Sequence, residues 1–266
     1  MFDSIAGDYD ALNHILSLDV DKIWRKKALK QIVDAPAPAR VLDLACGTGD
    51  FSIAIAKALS RSHKRVGTPI EAHVKAPAKA PVEAQVTSTG FVTGDSGRSD
   101  LMTKGHVTGV DLSEGMLAVM REKVAKAGLT EMISIEEGDG ENLRFPDNTF
   151  DRVTIAFGIR NFEDREKGLR EMLRVLKPGG RLVILELSRP ENKVIRWFYD
   201  LYFLHILPKI GGKVSGDKAA YAYLPASVAA FPGKKQFSAT MRSAGFQCVT
   251  HKALTLGICR MYTGEK

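Results

Sequence analysis

The sequence has few cysteines and no long apolar run, and both shortages narrow the class of protein. Only three cysteines occur in 266 residues, and Cys46, Cys248 and Cys259 lack the spacing of a metal site or a redox pair. We therefore expect reduced thiols in a cytoplasmic protein, and no bound metal. No stretch of about 18 apolar residues is present, which predicts no membrane-spanning segment. The acidic start of the chain does not resemble a secretory signal peptide.

A dense basic surface is also missing. The net charge is +7, but no basic stripe alternates with aromatic side chains, so we expect no nucleic-acid groove. Part of the positive charge lies in residues 61–105, where Ala, Pro, Gly, Ser and Thr make up 22 of 45 residues and Phe91 is the one aromatic. Such a composition buries little apolar surface and predicts a flexible insertion.

A strand, a glycine turn and a helix follow one another early in the chain. An apolar run that carries one acid, Asp43, ends in Gly47, Thr48 and Gly49, and a helical pattern comes next. This order opens the nucleotide-binding unit of an α/β sheet. Ser52 stands where a dinucleotide fingerprint has its third glycine, and the lysine of a phosphate-binding loop is absent. The pattern Asp-x-x-x-Gly-x-Gly is similar to the first motif of S-adenosylmethionine-dependent methyltransferases.

Asp111 ends the next predicted strand and is expected to bind the ribose of the cofactor. In mononucleotide-binding folds an acid has this role about 20 residues after the glycine turn. Gly49 and Asp111 are 62 residues apart, but the separation falls to 20 when residues 64–105 are left out. The spacing supports both the insertion and the role of Asp111.

Strands alternate with helices over most of the chain. Helices are predicted at 2–33, 50–60, 113–127, 163–176 and 217–230, and strands at 40–45, 107–111, 132–136, 150–157, 181–187, 246–255 and 257–263. Ser113 is placed to cap a helix and Gly128 to end it, and residues 177–180 are expected to form a turn. The pattern predicts an α/β, doubly wound, Rossmann-like fold of seven strands, closed by a β-hairpin and carrying an N-terminal helical cap.

The motifs together closely resemble the ubiquinone/menaquinone biosynthesis C-methyltransferases, in particular the bacterial demethylmenaquinone methyltransferases. The longest are Leu-Asp-Leu-Ala-Cys-Gly-Thr-Gly-Asp at 42–50, Phe-Gly-Ile-Arg-Asn-Phe at 157–162 and Arg-Val-Leu-Lys-Pro-Gly-Gly at 174–180, with others at 2–13, 24–27, 145–151 and 221–224. The resemblance covers nearly the whole chain except residues 61–105. It implies one class I S-adenosylmethionine methyltransferase domain over residues 1–266.

The resemblance also implies the substrates and the cofactor site. S-adenosylmethionine would be the methyl donor, demethylmenaquinol the acceptor and menaquinol the product. Beside Gly47 and Gly49 of the turn, the family's cofactor positions correspond to Thr48, Asp111, Asp139 and Gly140 in this sequence.

Arg160 and Asn161 follow the fourth strand, where the acceptor is expected to lie. A quinol becomes a carbon nucleophile as its hydroxyl loses a proton, so a base or a nearby cation is needed. We predict that Arg160 stabilises the quinol oxyanion and that Asn161 orients the ring. The alternative is a structural ion pair between Arg160 and Glu163 or Asp164.

The most apolar stretch is residues 197–207, with Asp200 and His205 as its polar members. A core-packing helix is one interpretation. The other is a lid that covers the prenyl tail of the quinol, while the protein rests on the inner face of the cytoplasmic membrane.

Three alternatives stay open. The acceptor could be another small hydrophobic molecule, such as a ubiquinone precursor. The chain could instead be a non-catalytic module that binds RNA or protein, although the intact cofactor motif argues against it. A homodimer is neither predicted nor excluded by the sequence.

Overall fold

The computed structural model describes residues 20–35, 39–66, 105–202 and 218–266, and within them one mixed sheet is flanked by helices. The strands are β1 Arg40–Leu44, β2 His106–Asp111, β3 Ile133–Glu137, β4 Phe150–Ala156, β5 Leu176–Leu187, β6 Gln247–Leu254 and β7 Cys259–Glu265. The α-helices are α1 Val20–Ile32, α2 Asp50–Val66, α3 Glu114–Lys126, α4 Arg165–Val175, α5 Lys193–Leu201, α6 Lys218–Ala230 and α7 Lys234–Ser243.

The strand order is β3-β2-β1-β4-β5-β7-β6. Strands β1 to β5 run parallel, whereas β7 lies antiparallel between β5 and β6. The chain winds outward from β1 in one direction and then returns to β4 on its other side. This arrangement places a topological switch point between β1 and β4, where open α/β sheets bind their ligands. The predicted seven-stranded, doubly wound fold is confirmed, and α1 is the described part of the N-terminal cap.

The central strands are apolar because helices cover both faces of the sheet. Side chains alternate between the faces: Val41 and Val183 pack with α1, α2 and α3, whereas Leu42 and Ile184 pack with α4 and α7. Asp43 points to the same face as Val41, because successive side chains of a strand point in opposite directions. This acid therefore lies on the side of α1 and α2.

Helix ends follow local chemistry that is readable in the sequence. The Ser113 hydroxyl accepts a hydrogen bond from the Met116 amide at 3.3 Å and caps α3. Gly128 follows the end of α3 with a φ of +64°, a conformation that glycine adopts without strain. Both predicted helix signals are confirmed.

Three elements differ from their sequence-based predictions. Helix α2 continues to Val66, into the predicted insertion, of which residues 67–104 lie outside the described part. Residues 177–180 do not form a turn before a strand. They interrupt β5 itself, because the pairing with β4 shifts from Phe150–Leu176 to Arg152–Arg181. Helix α7 was not predicted, since its ten residues carry only Phe237 and Met241 as large apolar side chains.

Lys266 is hydrogen-bonded to the interrupted part of β5. The amide of Lys266 donates to the Gly180 carbonyl at 3.0 Å, and the Gly179 amide donates to the Lys266 carbonyl at 3.1 Å. The ammonium of Lys266 donates to Asn148 Oδ1 at 2.8 Å. The last residue is thus fixed at the amino end of β5, opposite the switch point.

Candidate active site

The glycine turn after β1 needs glycine for two reasons. Gly47 and Gly49 have φ values of +56° and +83°, in the left-handed region that glycine favours. A Cβ atom on Gly49 would also lie 2.4 Å from Cγ of Met120 in α3. The turn therefore allows α3 to pack closely, and it brings the backbone of Gly47 and Thr48 to the wall of a cavity.

Asp111 fixes this turn from the end of β2. One carboxylate oxygen accepts a hydrogen bond from the Gly47 amide at 2.8 Å, and the other accepts from the Ser113 amide at 2.9 Å. The two backbone amides therefore fix the orientation of the Asp111 carboxylate at the end of β2.

Asp139 and Gly140 follow β3 at the same edge of the sheet. Asp139 accepts a hydrogen bond from the Glu141 amide at 2.8 Å, and Gly140 packs so tightly that an added Cβ would lie 2.6 Å from the Phe162 ring. The structure thus brings all six predicted cofactor residues to the carboxyl ends of β1, β2 and β3. Only Gly47 and Thr48 of the six are among the described residues that line the large cavity.

That cavity has a volume of about 520 Å³ and opens at the switch point between β1 and β4. Most of its wall is apolar or aromatic, with contributions from α1, α5 and the 3₁₀ turn Thr255–Gly257 between β6 and β7. Large apolar cavities with a few converging polar groups are the usual form of small-molecule sites. Its charged side chains lie in two places, one beside the glycine turn and one at Arg160.

An ionic network surrounds the glycine turn. The Arg25 guanidinium pairs with Asp50 at 3.3 Å and with Asp21 at 3.5 Å. The Lys123 ammonium pairs with Asp50 and donates to the Thr48 hydroxyl at 3.2 Å. Burial alone would raise the pKa of the Asp50 carboxyl, but the hydrogen bond from Lys123 and the charges of Lys123 and Arg25 lower it. The first turn of α2 is thus joined to α1 and α3.

Asp43 is the most perturbed acid of the cavity wall. Its side chain is buried, and its Oδ2 atom accepts a hydrogen bond from the Ser52 hydroxyl at 2.6 Å. Burial raises the pKa of Asp43 from an ordinary value of 3.8 to about 7, although Ser52 and the charge of Arg25 act in the opposite direction. A nearby cation would stabilise its ionised form.

Arg160 is held by one edge of its guanidinium group. Its Nη1 atom donates to the Phe157 carbonyl and, at 3.1 Å, to Glu186, while Nε donates to the Ser227 hydroxyl at 3.3 Å. Nη2 makes no hydrogen bond within the described ranges. Arg160 is only 9% exposed and yet lines the cavity, so a fixed and partly unpaired guanidinium faces an apolar space.

Glu186 is the residue that the sequence-based prediction missed. It is the second-last residue of β5, is fully buried, and accepts hydrogen bonds from the side chain and the backbone amide of Arg160, each at 3.1 Å. The alternative partners of Arg160 were wrong. The amides of Glu163 and Asp164 instead donate to Glu141. A lone acid in the apolar run of β5 was the signal that could have identified Glu186.

Asn161 lies beside Arg160 in the 3₁₀ turn Ile159–Asn161. Its Oδ1 atom accepts a hydrogen bond from the Tyr223 hydroxyl of α6 at 2.8 Å. Asn161 is not among the described residues of the cavity wall. The contact with Tyr223 nevertheless orients its amide group next to Arg160.

Helix α5 has an exposed apolar face at the cavity. Val194, Trp197 and Phe198 are 65%, 61% and 60% exposed, whereas Phe198 and the buried Tyr199 also line the cavity. The predicted lid segment begins in this helix, and residues 203–207 lie outside the described part. Among the described residues, no helix is long and apolar enough to cross a membrane.

Comparison with known proteins agrees with this geometry. The ubiE/COQ5 methyltransferase family matches residues 1–266. A ubiquinone/menaquinone biosynthesis C-methyltransferase, UbiE, from Geobacter sulfurreducens is 44% identical over 100% of this chain and 87% of its own length. A demethylmenaquinone methyltransferase from Deinococcus radiodurans is 41% identical over 100% of this chain and 91% of its own.

A solved structure shows the same fold. The S-adenosylmethionine-dependent methyltransferase from Aquifex aeolicus has a TM-score of 0.54 and 19% identity, covering 90% of this chain and 88% of that one. The family model together with this fold identifies an S-adenosylmethionine-dependent methyltransferase. The chain belongs to the ubiE/COQ5 methyltransferase family, which confirms the resemblance seen in its motifs.

Proposed function

We propose that this protein transfers a methyl group from S-adenosylmethionine to a ring carbon of demethylmenaquinol and forms menaquinol. Curated relatives at about 40% identity carry the name demethylmenaquinone methyltransferase. The site supports the proposal, because an apolar cavity suits a prenylated ring and the cation Arg160 stands in its wall next to the end of β4. Arg160 is the observation that carries the assignment.

Each residue of the site has its own role in the proposed reaction. When bound, S-adenosylmethionine supplies an electrophilic methyl group. Arg160 donates from Nη2 to the quinol oxygen and stabilises the negative charge that develops there, which makes the ring carbon nucleophilic. The hydrogen bonds to Glu186 and Ser227 hold the guanidinium in place, so that little reorganisation is needed during the reaction. Asn161, oriented by Tyr223, positions the ring beside it.

We propose that the cofactor is bound by six residues together: Gly47, Thr48, Gly49, Asp111, Asp139 and Gly140. Their placement at adjacent strand ends supports it. The cradle fits an adenosine with an amino-acid end, since Asp111 offers acceptor oxygens and the glycine turn lets a ligand approach the backbone.

A radiolabelled methyl-transfer assay tests the function directly. The purified protein is incubated with labelled S-adenosylmethionine and demethylmenaquinol, and RNA replaces the quinol in a parallel reaction. Label in menaquinol supports the proposal, whereas label in RNA alone would contradict it. A demethylated ubiquinone precursor belongs in the same assay, because the relative from Geobacter sulfurreducens is named for both quinones.

We also infer that the protein contacts a membrane surface while it takes up its quinol. The exposed apolar residues Val194, Trp197 and Leu201 lie on α5 beside the cavity, and Lys193 and Arg196 add positive charge to the same helix. Helices of this composition bind at the interface of anionic membranes. We propose a cytoplasmic location at the inner face of the membrane.

A further inference from the structure

The cavity wall contains most of the strained backbone in the described part of the chain. Six residues other than glycine have a positive φ within the described ranges, and four of them line the cavity: Ala45, Phe157, Thr255 and Leu256. Residues with a Cβ atom adopt this conformation at a cost, and they gather at ligand sites where the surrounding structure holds them in place. Thr255 and Leu256 are consecutive, with φ values of +44° and +57°. The strain is thus concentrated in the Thr255–Gly257 turn between β6 and β7.

Neighbouring elements hold this turn in its conformation. The Trp24 indole of α1 donates to the Thr255 hydroxyl at 2.8 Å. Directly after β5, the Ser188 hydroxyl donates to the Gly257 carbonyl at 2.7 Å. Neither contact involves the side chain of Leu256, which is 72% exposed. The structure therefore fixes the backbone of the turn and leaves this leucine side chain at the surface, in the wall of the cavity.

The mouth of the cavity receives apolar side chains from two elements. Seven large apolar side chains are exposed in the described part of the chain, and only Phe198 and Leu256 of the seven also line the cavity. Residues that line a cavity and are exposed lie where it opens to solvent. Phe198 belongs to α5 and Leu256 to the turn. Both side chains gain by contact with an apolar ligand, because the contact removes them from water.

The length of the acceptor makes this opening relevant. A cavity of about 520 Å³ has the size of a site for one small molecule, and in the proposed reaction the ring shares the site with S-adenosylmethionine. A polyprenyl tail is too long to be enclosed there as well, so it leaves the cavity. Because the tail is apolar along its whole length, it leaves where apolar side chains meet the solvent.

We propose that Leu256 is a specificity-determining residue, which contacts the prenyl tail of the acceptor together with Phe198 where the tail leaves the cavity. The inference rests on the proposed function. It also gives the strained turn a role. A glycine at position 256 would relieve the backbone, but it would offer no apolar side chain to the tail.

A comparison of two quinols tests this role. Demethylmenaquinol with a long tail and an analogue with a single isoprene unit are methylated in detergent micelles by the wild type, Leu256→Gly and Leu256→Ser. Glycine relieves the positive φ and serine keeps it, so the two variants separate the loss of the side chain from the strain of the backbone. Ile23→Ser is the matched control, because Ile23 is an exposed apolar residue of α1 that does not line the cavity.

Both Leu256 variants are expected to lower the ratio of kcat/KM for the long-tailed quinol to that for the short-tailed one by about fivefold, through a higher KM for the long tail. Ile23→Ser should keep the ratio of the wild type. The Tm of both Leu256 variants should stay near that of the wild type, since the side chain is exposed. A Tm lowered in both would assign Leu256 to packing and overturn the proposal.

The kinetic outcomes separate this inference from the proposed function. An unchanged ratio in the Leu256 variants, or equal losses on both quinols, would overturn the role of Leu256 alone, because the wild type would still methylate the quinols. A changed ratio in Leu256→Ser but not in Leu256→Gly would overturn it too, since the backbone and not the side chain would then be responsible. If the wild type methylates neither quinol, the proposed function fails and this inference fails with it.

Discussion

Single residues of the site have separable tasks, and the buried Arg160–Glu186 pair has the clearest. A buried ion pair is costly to break, because removal of one partner leaves the other charge uncompensated. Here the pair holds a guanidinium with free donors at an apolar wall. Apolar residues at these two positions would pack well and stabilise the fold, whereas the ion pair places a fixed charge there. Such a choice is typical of a functional position.

Arg160→Leu is therefore expected to lower kcat by about 100-fold or more, the size of effect seen when one charge-stabilising donor is removed. Cofactor affinity should change little, since Arg160 is expected to contact the acceptor. Initial rates with demethylmenaquinol and calorimetry with S-adenosylhomocysteine separate the two effects. Glu186→Gln is a second variant that keeps the shape of the side chain but removes its charge. The guanidinium of Arg160 is then held less firmly, so a partial loss of kcat is expected. A variant of Arg160 with wild-type kcat would remove this residue from the mechanism.

We expect Asp111 to bind the cofactor, and its replacement should therefore act on cofactor affinity. Asp111→Ala removes the acceptor predicted for the ribose and frees the Gly47 amide, so binding should weaken by about 1–3 kcal/mol. The control is Glu137→Ala, an exposed acid that pairs with Asp111 across β2 and β3. Calorimetry that finds equal affinity in the two variants would contradict the assignment.

The acidity of Asp43 predicts a pH dependence of stability. Its pKa is about 7 in the folded protein and 3.8 ordinarily, so the folded state binds more protons than the unfolded state between these values. Stability must then fall as pH rises through this window, with the charge of Arg25 opposing and that of Asp111 adding to the effect. In the absence of cofactor, the Tm of Asp43→Asn minus that of the wild type should increase from about pH 5 to about pH 8. A constant difference would mean that Asp43 is ionised throughout.

Candidate site residues could be proposed from the sequence where they sit in local motifs. Asp111 was proposed from its distance to the glycine turn, and Arg160 from its place after the fourth strand. The partners of these residues were not found, because Glu186 is 26 residues from Arg160 and Arg25 is 25 residues from Asp50. Such contacts depend on the order of strands in the sheet and on the packing of α1, which spacing along the chain does not encode.

At the scale of elements, strands and helices with a strong local pattern were the ones predicted well. Apolar runs between glycine and proline mark β1, β2 and β4 to within about two residues, which is the usual uncertainty of element ends. Helix α7 was not predicted because its own sequence has few apolar residues. Its Phe237 packs in an apolar cluster with Phe231 and Tyr262, which lie outside the helix. Tertiary packing there overrides a weak local pattern.

Helix α5 offers a matched pair of aromatic residues for testing substrate binding. Phe198 lines the cavity and Trp197 does not, although their exposures are 60% and 61%. Phe198→Ser should raise the KM for a long-tailed quinol by roughly tenfold, through lost apolar contact, with a smaller effect on a short-tailed analogue. Trp197→Ser should leave both KM values near those of the wild type. Equal losses on the two quinols for Phe198→Ser would favour a core-packing role.

The same pair tests contact with a membrane. Trp197 is exposed and does not line the cavity, so Trp197→Ser should reduce co-sedimentation with anionic phosphatidylglycerol vesicles more than with neutral phosphatidylcholine vesicles. Raised salt should weaken the binding to anionic vesicles by screening Lys193 and Arg196. If the wild type sediments with neither vesicle type, the inferred membrane contact is contradicted and α5 contacts only the substrate.

At the scale of the whole molecule, the strands before and after the predicted insertion are direct neighbours in the sheet. β1 and β2 pair in register from Arg40–His106 to Leu44–Val110, although 61 residues separate the two strands in the chain. Their pairing needs only a connection of ordinary length between the end of α2 and Gly105. Long surface insertions cost little extra closure entropy.

Replacement of residues 67–104 by a short Gly/Ser linker of about four residues is therefore expected to preserve the fold and cofactor affinity. The composition of the segment gives it little apolar surface to bury. Circular dichroism melting and calorimetry with S-adenosylhomocysteine check this, with the full chain as reference. A Tm lower by more than about 8 °C would show that the segment contributes to the core.

The anchored last residue has a practical consequence for the study of lipid substrates. Lys266 is fixed at the amino end of β5, and the cavity opens about 20 Å away at the other end of that strand. A tag attached after Lys266 would therefore hold the protein on a sensor chip with its cavity mouth and α5 turned outward. Vesicles that carry the quinol could then be passed over an array of uniformly oriented molecules.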